Sequence, residues 1–296
     1  MSRHPFVRLV AGGAIALFIS VVLAAQSAER ILYVNVFDKE TRAPITGLGN
    51  DAFAVREDGI AREVLRVTPA TSPMSIAILV DNSQATTPTI ADLRKGLSGF
   101  VKSLDGIGPI AIITVADRPT IVRDYTTSQV QLQEAANKIF ALPGSGATLL
   151  DAIVETSKGM AKRDTDRAAI IVVTGEHTEF SNRHYRDVLQ ELAKGGAQLH
   201  VLVLTGPGGT RLNDEARNRA SVLDLGPIES GGTHEDILTS QAYDTKLLEM
   251  AAILKSQHRV VYSRPQTLIP PEKVQVSATK PGQVASGGPA RGQAVR

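Results

Sequence analysis

The sequence contains no cysteine and no tryptophan, and aromatic residues make up only 4% of its 296 positions. Without cysteine no disulfide can brace the fold and no thiol is there for lipid attachment, so an aliphatic core must hold the chain together unaided. The scarcity of aromatics also removes the stacking platform on which proteins lay single-stranded nucleic acid. An excess charge of one sign is missing too: 32 basic and 30 acidic groups leave a net charge of +2, and no basic field invites a phosphate backbone. No internal repeat is visible. What is present, 43% apolar and 21% charged residues, is ordinary for a globular protein of one or two domains.

Arg3, His4 and Arg8 precede an uncharged, mostly apolar run over residues 9–25, followed by Gln26-Ser27-Ala28-Glu29. A basic start, an apolar centre and small residues at its end describe a secretory signal peptide, expected over residues 1–28. Export to the periplasm or the extracellular space follows. The alternative is an uncleaved anchor, because such a run nearly spans a bilayer; this helix would then be the chain's membrane contact.

Ile31-Leu32-Tyr33-Val34-Asn35-Val36-Phe37 is rich in β-branched and aromatic residues and reads as a strand. Residues 53–59 read as a strand entering an Asp-Gly turn and residues 63–67 as its return, which makes 29–69 a small β unit. From Ser75 the texture changes. Residues 76–80, 110–115, 168–173 and 198–204 are short, continuous aliphatic runs of the kind buried on both faces of a parallel sheet. Between them apolar residues recur at spacings of three and four: Ile90, Leu93, Leu97, Phe100 and Leu104 mark one helix, and Leu149, Leu150, Ile153 and Val154 begin another. Further helices start near Tyr185 and cover 244–257, whereas 211–224 shows no decisive period. Strands alternating with helices imply right-handed βαβ units, and so an α/β fold with a doubly wound, mostly parallel sheet over 74–263, closed by the strand at 259–262. Lys273-Val274-Gln275-Val276-Ser277 alternates and is expected to return to the β unit within 264–279. The Gly-, Pro- and Ser-rich residues 280–296 are expected to be a disordered tail.

Leu79-Val80-Asp81-Asn82-Ser83-Gln84-Ala85 sets a carboxylate at the carboxyl end of a buried run, where open parallel sheets hold their ligands. A hydroxyl follows two residues on, and the pair offers oxygens to a hard divalent cation. This loop resembles the D-x-S-x-S metal loop of von Willebrand factor type A (VWA) domains, with Ala85 in place of the second serine. Thr46-Gly47-Leu48 and Asp51-Ala52-Phe53-Ala54-Val55-Arg56-Glu57-Asp58-Gly59 are similar to the leader of the bacterial exported "VWFA-related" family, and Ser256-Gln257-His258-Arg259-Val260-Val261-Tyr262 to its closing strand. In VWA domains the site adds a threonine after a glycine pair and an aspartate in a T-D-G turn. Here Gly144-Ser145-Gly146-Ala147-Thr148 puts Ala147 at the threonine position with Thr148 one residue late, and Val173-Thr174-Gly175-Glu176 offers Gly175 for the aspartate. The resemblance therefore implies a VWA fold with a degenerate metal site of Asp81, Ser83 and Thr148, since Mg²⁺ demands near-octahedral oxygen ligands and too few remain.

The resemblance further implies an exported, non-catalytic interaction module, docking an unidentified protein partner through a rim that includes Asn82, Gln84, Glu176 and His177. No cofactor is expected beyond weakly held Mg²⁺. One alternative is a Mg²⁺-dependent module in which Thr148 and Glu176 rearrange as ligands. Another is a phosphatase-like enzyme using Asp81 as nucleophile, although the second carboxylate of a D-x-D loop is Ser83 here. A third is a structural envelope protein whose rim is idle. The polar group Glu176, His177, Glu179 and His184 lacks the spacing of a zinc motif and reads as a solvated loop, and Gly206-Pro207-Gly208-Gly209-Thr210 lacks the ending of a phosphate loop.

Overall fold

The computed structural model describes residues 27–206, 213–266 and 268–293, so the expected signal segment and most of the glycine-rich loop after Gly206 lie outside the described residues. The chain opens with β1 (Ser27–Asp38), β2 (Phe53–Glu57), β3 (Ile60–Arg62) and β4 (Val64–Pro69). Then β5 (Met74–Val80), α1 (Ile90–Ser103), β6 (Ile110–Thr114), β7 (Thr120–Thr126), α2 (Gln129–Asn137) and α3 (Leu149–Met160) follow. The second half of the helical region holds β8 (Arg167–Gly175), α4 (Tyr185–Gly195), β9 (Gln198–Leu204), α5 (Asp214–Ser230), β10 (His234–Ile237) and α6 (Ala242–Lys255). Last come β11 (His258–Pro265), β12 (Val274–Ala278) and β13 (Gln283–Pro289). Among the described residues no helix is long and apolar enough to cross a membrane.

The α/β expectation holds. Six strands form a sheet in the order β10-β9-β8-β5-β6-β7, parallel throughout except for the β6–β7 pair. Every residue of β5, β6 and β8 is buried, because helices cover both faces. Side chains alternate between two cores. Ile76, Ile78 and Val80 pack with α1, α2 and α6, whereas Ala77 and Leu79 pack with α3, α4 and α5. Each buried Leu or Ile contributes about 1.5–3 kcal/mol, so two aliphatic layers suffice without disulfides or Trp.

The closing strand is where expectation and structure part. β11 does not join the parallel sheet: it pairs antiparallel with β1 and β4 in a second sheet of order β13-β1-β11-β4. The last strand of the parallel sheet is instead β10, a short segment with Ile237 as its fully buried residue. β12 pairs with β2, and β2 with β3, in a three-stranded sheet. Leu32, Val34, Val36, Phe53, Val55, Val260 and Tyr262 form one core between these two sheets, making a small β sandwich. The tail expectation is also corrected: residues 283–289 are a strand, paired with β1 from Leu32–Pro289 to Asp38–Gln283. The α/β domain is thus inserted between β4 and β11 of a sandwich built from both ends of the chain.

A buried polar seam joins the two bodies at the amino ends of the parallel strands. Arg167 donates to the carbonyls of Ala70 and Ser72 at 3.1 and 2.6 Å and to Gln257 Oε1 at 3.1 Å, while Gln198 donates to the Tyr33 carbonyl at 2.8 Å. Burial pulls the Arg167 guanidinium down to about 10, still charged at neutral pH. The seam leaves the carboxyl ends of the strands free at the opposite end of the sheet.

His200, on β9, is wholly buried with Nδ1 3.0 Å from Thr233 Oγ1 and, among the described residues, no partner for Nε2. Burial lowers its pKa to about 4 from an ordinary 6.5. Its folded value is depressed, so the neutral ring's stability is complete above pH 6.5 and is lost as pH falls towards 4. That window should cost about 3 kcal/mol. Urea unfolding of the wild type and of His200→Leu between these limits should differ in acid sensitivity by that amount, and parallel curves would refute the prediction.

Candidate functional site

Asp81 follows β5 directly, and its backbone N–H is tied to the Val173 carbonyl of β8 at 2.9 Å. Its carboxylate is fully buried. Oδ1 accepts from the Ser83 backbone N–H at 2.9 Å, an Asx turn, and Oδ2 accepts from Thr174 Oγ1 at 2.9 Å. Asn82 binds the neighbouring loops: its side chain accepts from Ala116 N at 3.1 Å and donates to the Phe140 carbonyl at 3.1 Å. Gln84 Oε1 accepts from Gly144 N at 2.7 Å. Ser83 and Thr148 are also buried; the Thr148 hydroxyl donates to the Val115 carbonyl at 3.0 Å, and Ser83 Oγ has no partner among the described residues.

The third loop leaves β8 at Gly175. His177 folds back over that glycine, so a Cβ at position 175 would come within 2.4 Å of His177 Nε2. Burial lowers the His177 pKa, against the raising influence of Asp81. Glu176 is exposed and its carboxylate accepts from Gly206 N at 3.2 Å. Glu179 is not solvated, contrary to the loop reading: it is 2% exposed, accepts from Ser181 N at 3.0 Å, and burial raises its pKa.

Sequence reasoning missed the cation at this site. Arg219, on α5, is 4% exposed and donates to Thr174 Oγ1 at 2.9 Å and to the Gly175 carbonyl at 2.5 Å, with Nε 3.7 Å from Glu179 Oε2. Burial lowers its pKa, opposed by Glu179 first and then by Asp81 and Glu176. Its signal was its spacing: Ala216, Arg219 and Leu223 share one buried helix stripe, where an unpaired arginine would be untenable.

A divalent metal would require several converging free oxygens; Ser83 Oγ is free among the described residues, but the other site oxygens do not complete a shell around it. Both Asp81 oxygens are engaged within the protein, the Thr148 hydroxyl is turned to a carbonyl, Gly175 carries no ligand, and a guanidinium already faces the acids. Among the described residues no three His, Asp or Glu side chains converge as metal ligands. The structure does bring Asp81, Asn82, Ser83, Gln84, Thr148, Glu176 and His177 to one end of the sheet. Large apolar side chains stand exposed there as well: Phe140 at 61%, Leu142 at 43% and Phe180 at 63%.

A doubly wound sheet with polar loops at its strand ends defines a class, and residues 76–177 match the family profile described as the von Willebrand factor type A domain. The chain carries a von Willebrand factor type A domain. In structure it is similar to the pilus adhesin SpaC from Lactobacillus rhamnosus GG, with 12% identity and a TM-score of 0.50 over 88% of this chain and 41% of that one. It is also similar to a von Willebrand factor type A protein from Catenulispora acidiphila, with 12% identity, TM-score 0.48, and coverage of 90% and 74%. For the human COPII-coat protein Sec24c the values are 10% identity, TM-score 0.46, and 74% of this chain against 44% of that one. The chain thus spans less than half the length of two of these proteins, and the likenesses concern the fold alone. No curated protein matches the sequence.

Proposed function

We propose that this protein is an exported, non-catalytic interaction module that docks another protein through the loop end of its VWA domain without a bound metal. The observation that supports the reading is the state of Asp81: a fully buried carboxylate, each of whose oxygens accepts a hydrogen bond from within the protein, is poorly placed to attack a substrate or to take a metal. The same end presents Phe140, Leu142 and Phe180 to solvent beside Asn82, Gln84 and Glu176, an apolar centre with polar groups around it. Export rests on the basic and apolar N-terminal segment, and kinship with the exported VWFA-related group on the leader around residues 46–59.

A photoreactive residue placed at Gln84 or at Phe180 of the full chain should trap the same partner with or without a chelator. Placed at Ile60, on the sandwich, it should trap none. Adducts that form only at Ile60, or that vanish with the chelator, would overturn the reading.

A further inference from the structure

We propose that Arg219 is a built-in cation of the strand-end site, whose guanidinium holds Asp81 and the loop after β8 in the arrangement that a divalent metal would otherwise impose. The assignment rests on the metal-independent reading above, but its test needs no partner.

The geometry is that of a relay. Arg219 donates to Thr174 Oγ1 at 2.9 Å, and that hydroxyl, its oxygen thus occupied as an acceptor, passes its own proton towards Asp81 Oδ2 at 2.9 Å. The Gly175 carbonyl takes a second bond from the same guanidinium, which pins the backbone where β8 ends. Among the described residues Glu179 Oε2 has no hydrogen-bond partner and lies 3.7 Å from Arg219 Nε, itself also without one. One positive charge therefore faces two buried carboxylates that belong to different loops, Asp81 after β5 and Glu179 after β8. Each of those anions would be costly to bury alone. α5 is held for this role by Asn213, whose side chain caps it by accepting from Ala216 N at 2.9 Å.

A guanidinium differs from a metal in what it can do next. It only donates, cannot dissociate from the chain, and has no vacant coordination position for an incoming carboxylate. The partner therefore needs no acidic anchor; the surface it meets is the apolar one at Phe140, Leu142 and Phe180.

Thermal unfolding of the full chain in a chelator, and then in Mg²⁺ or Mn²⁺, tests the assignment. The wild type and Arg219→Lys should show no response to either metal. Arg219→Ala should melt lower in the chelator and rise by roughly 5–10 °C when the metal exceeds its Kd a hundredfold, because the two acids then lack a counter-ion. A merely structural arginine would give the loss without the rescue. Should Arg219→Ala fail to fold, Arg219→Gln, which keeps a donor and removes the charge, should show the same metal response. Arg219 variants that fold yet ignore both metals, beside an equally silent wild type, would sink this assignment alone. Micromolar metal binding by the wild type would sink it together with the metal-independent docking reading.

Discussion

Glu57→Ala is expected to destabilise the protein by about 3–5 kcal/mol, measured as the shift of a urea midpoint at unchanged slope. Glu57 lies 2% exposed inside the sandwich. Its Oε2 accepts from Arg62 Nε at 2.9 Å and from Arg264 Nε at 3.0 Å, and its Oε1 accepts from the Tyr262 hydroxyl at 2.8 Å. Burial, together with that hydrogen bond to Glu57, pushes the Tyr262 phenol up and keeps it a donor. Removing the carboxylate leaves Arg264, also buried, as a charge without a counter-ion, and the cost of breaking such a pair exceeds what the intact pair contributes. Glu57→Gln keeps an acceptor for one neighbour and should lose distinctly less. Equal losses for the two variants would show that packing, and not the charge, governs this position.

The second large effect concerns Gly231, which ends α5 in the left-handed conformation at φ 78°. A Cβ there would come within 2.0 Å of the Gly287 carbonyl carbon and 2.5 Å of Gly288 N, so the obstacle is backbone that cannot rotate aside. Gly287 in turn packs against β1, where a Cβ would meet the Tyr33 carbonyl oxygen at 2.5 Å. Gly231→Ala should therefore cost about 3–5 kcal/mol, combining left-handed strain with overpacking, and should expose β13 to proteases. Gly282→Ala shares the positive φ but has open space around it, so it should cost only about 1 kcal/mol. If both variants lost the same, close packing of β13 would not be the cause.

These two sites mark the limit of what the sequence makes legible. β5, β6, β8 and β9 can be read directly because a strand buried on both faces must be a short aliphatic run. β10 escapes because His234, Glu235 and Asp236 show no apolar period. β11 is recognisable as a strand, but which sheet it joins depends on partners distant in sequence. β13 escapes for the opposite reason to β10: Ser286, Gly287 and Gly288 have the composition of a loose tail, whereas here small residues permit a close backbone approach. At the site, the loop carrying Asp81 is legible from its place after an apolar run. Arg219 is not, since α5 carries Gly226 and Pro227 and its charged residues blur the stripe that buries it.

Pro69, at the end of β4, lies directly opposite His258, at the start of β11, so the chain leaves the sandwich for the VWA domain and returns to it at neighbouring points. β1 and β13, which carry the outer ends of the described chain, are likewise adjacent strands of that sandwich. Tension applied between those ends would be borne by the β1–β13 ladder and, through the bonds of Arg291 to the Met160 and Thr165 carbonyls, would also reach the base of the inserted domain. The loops around Asp81 lie at the opposite end of the parallel sheet from that attachment.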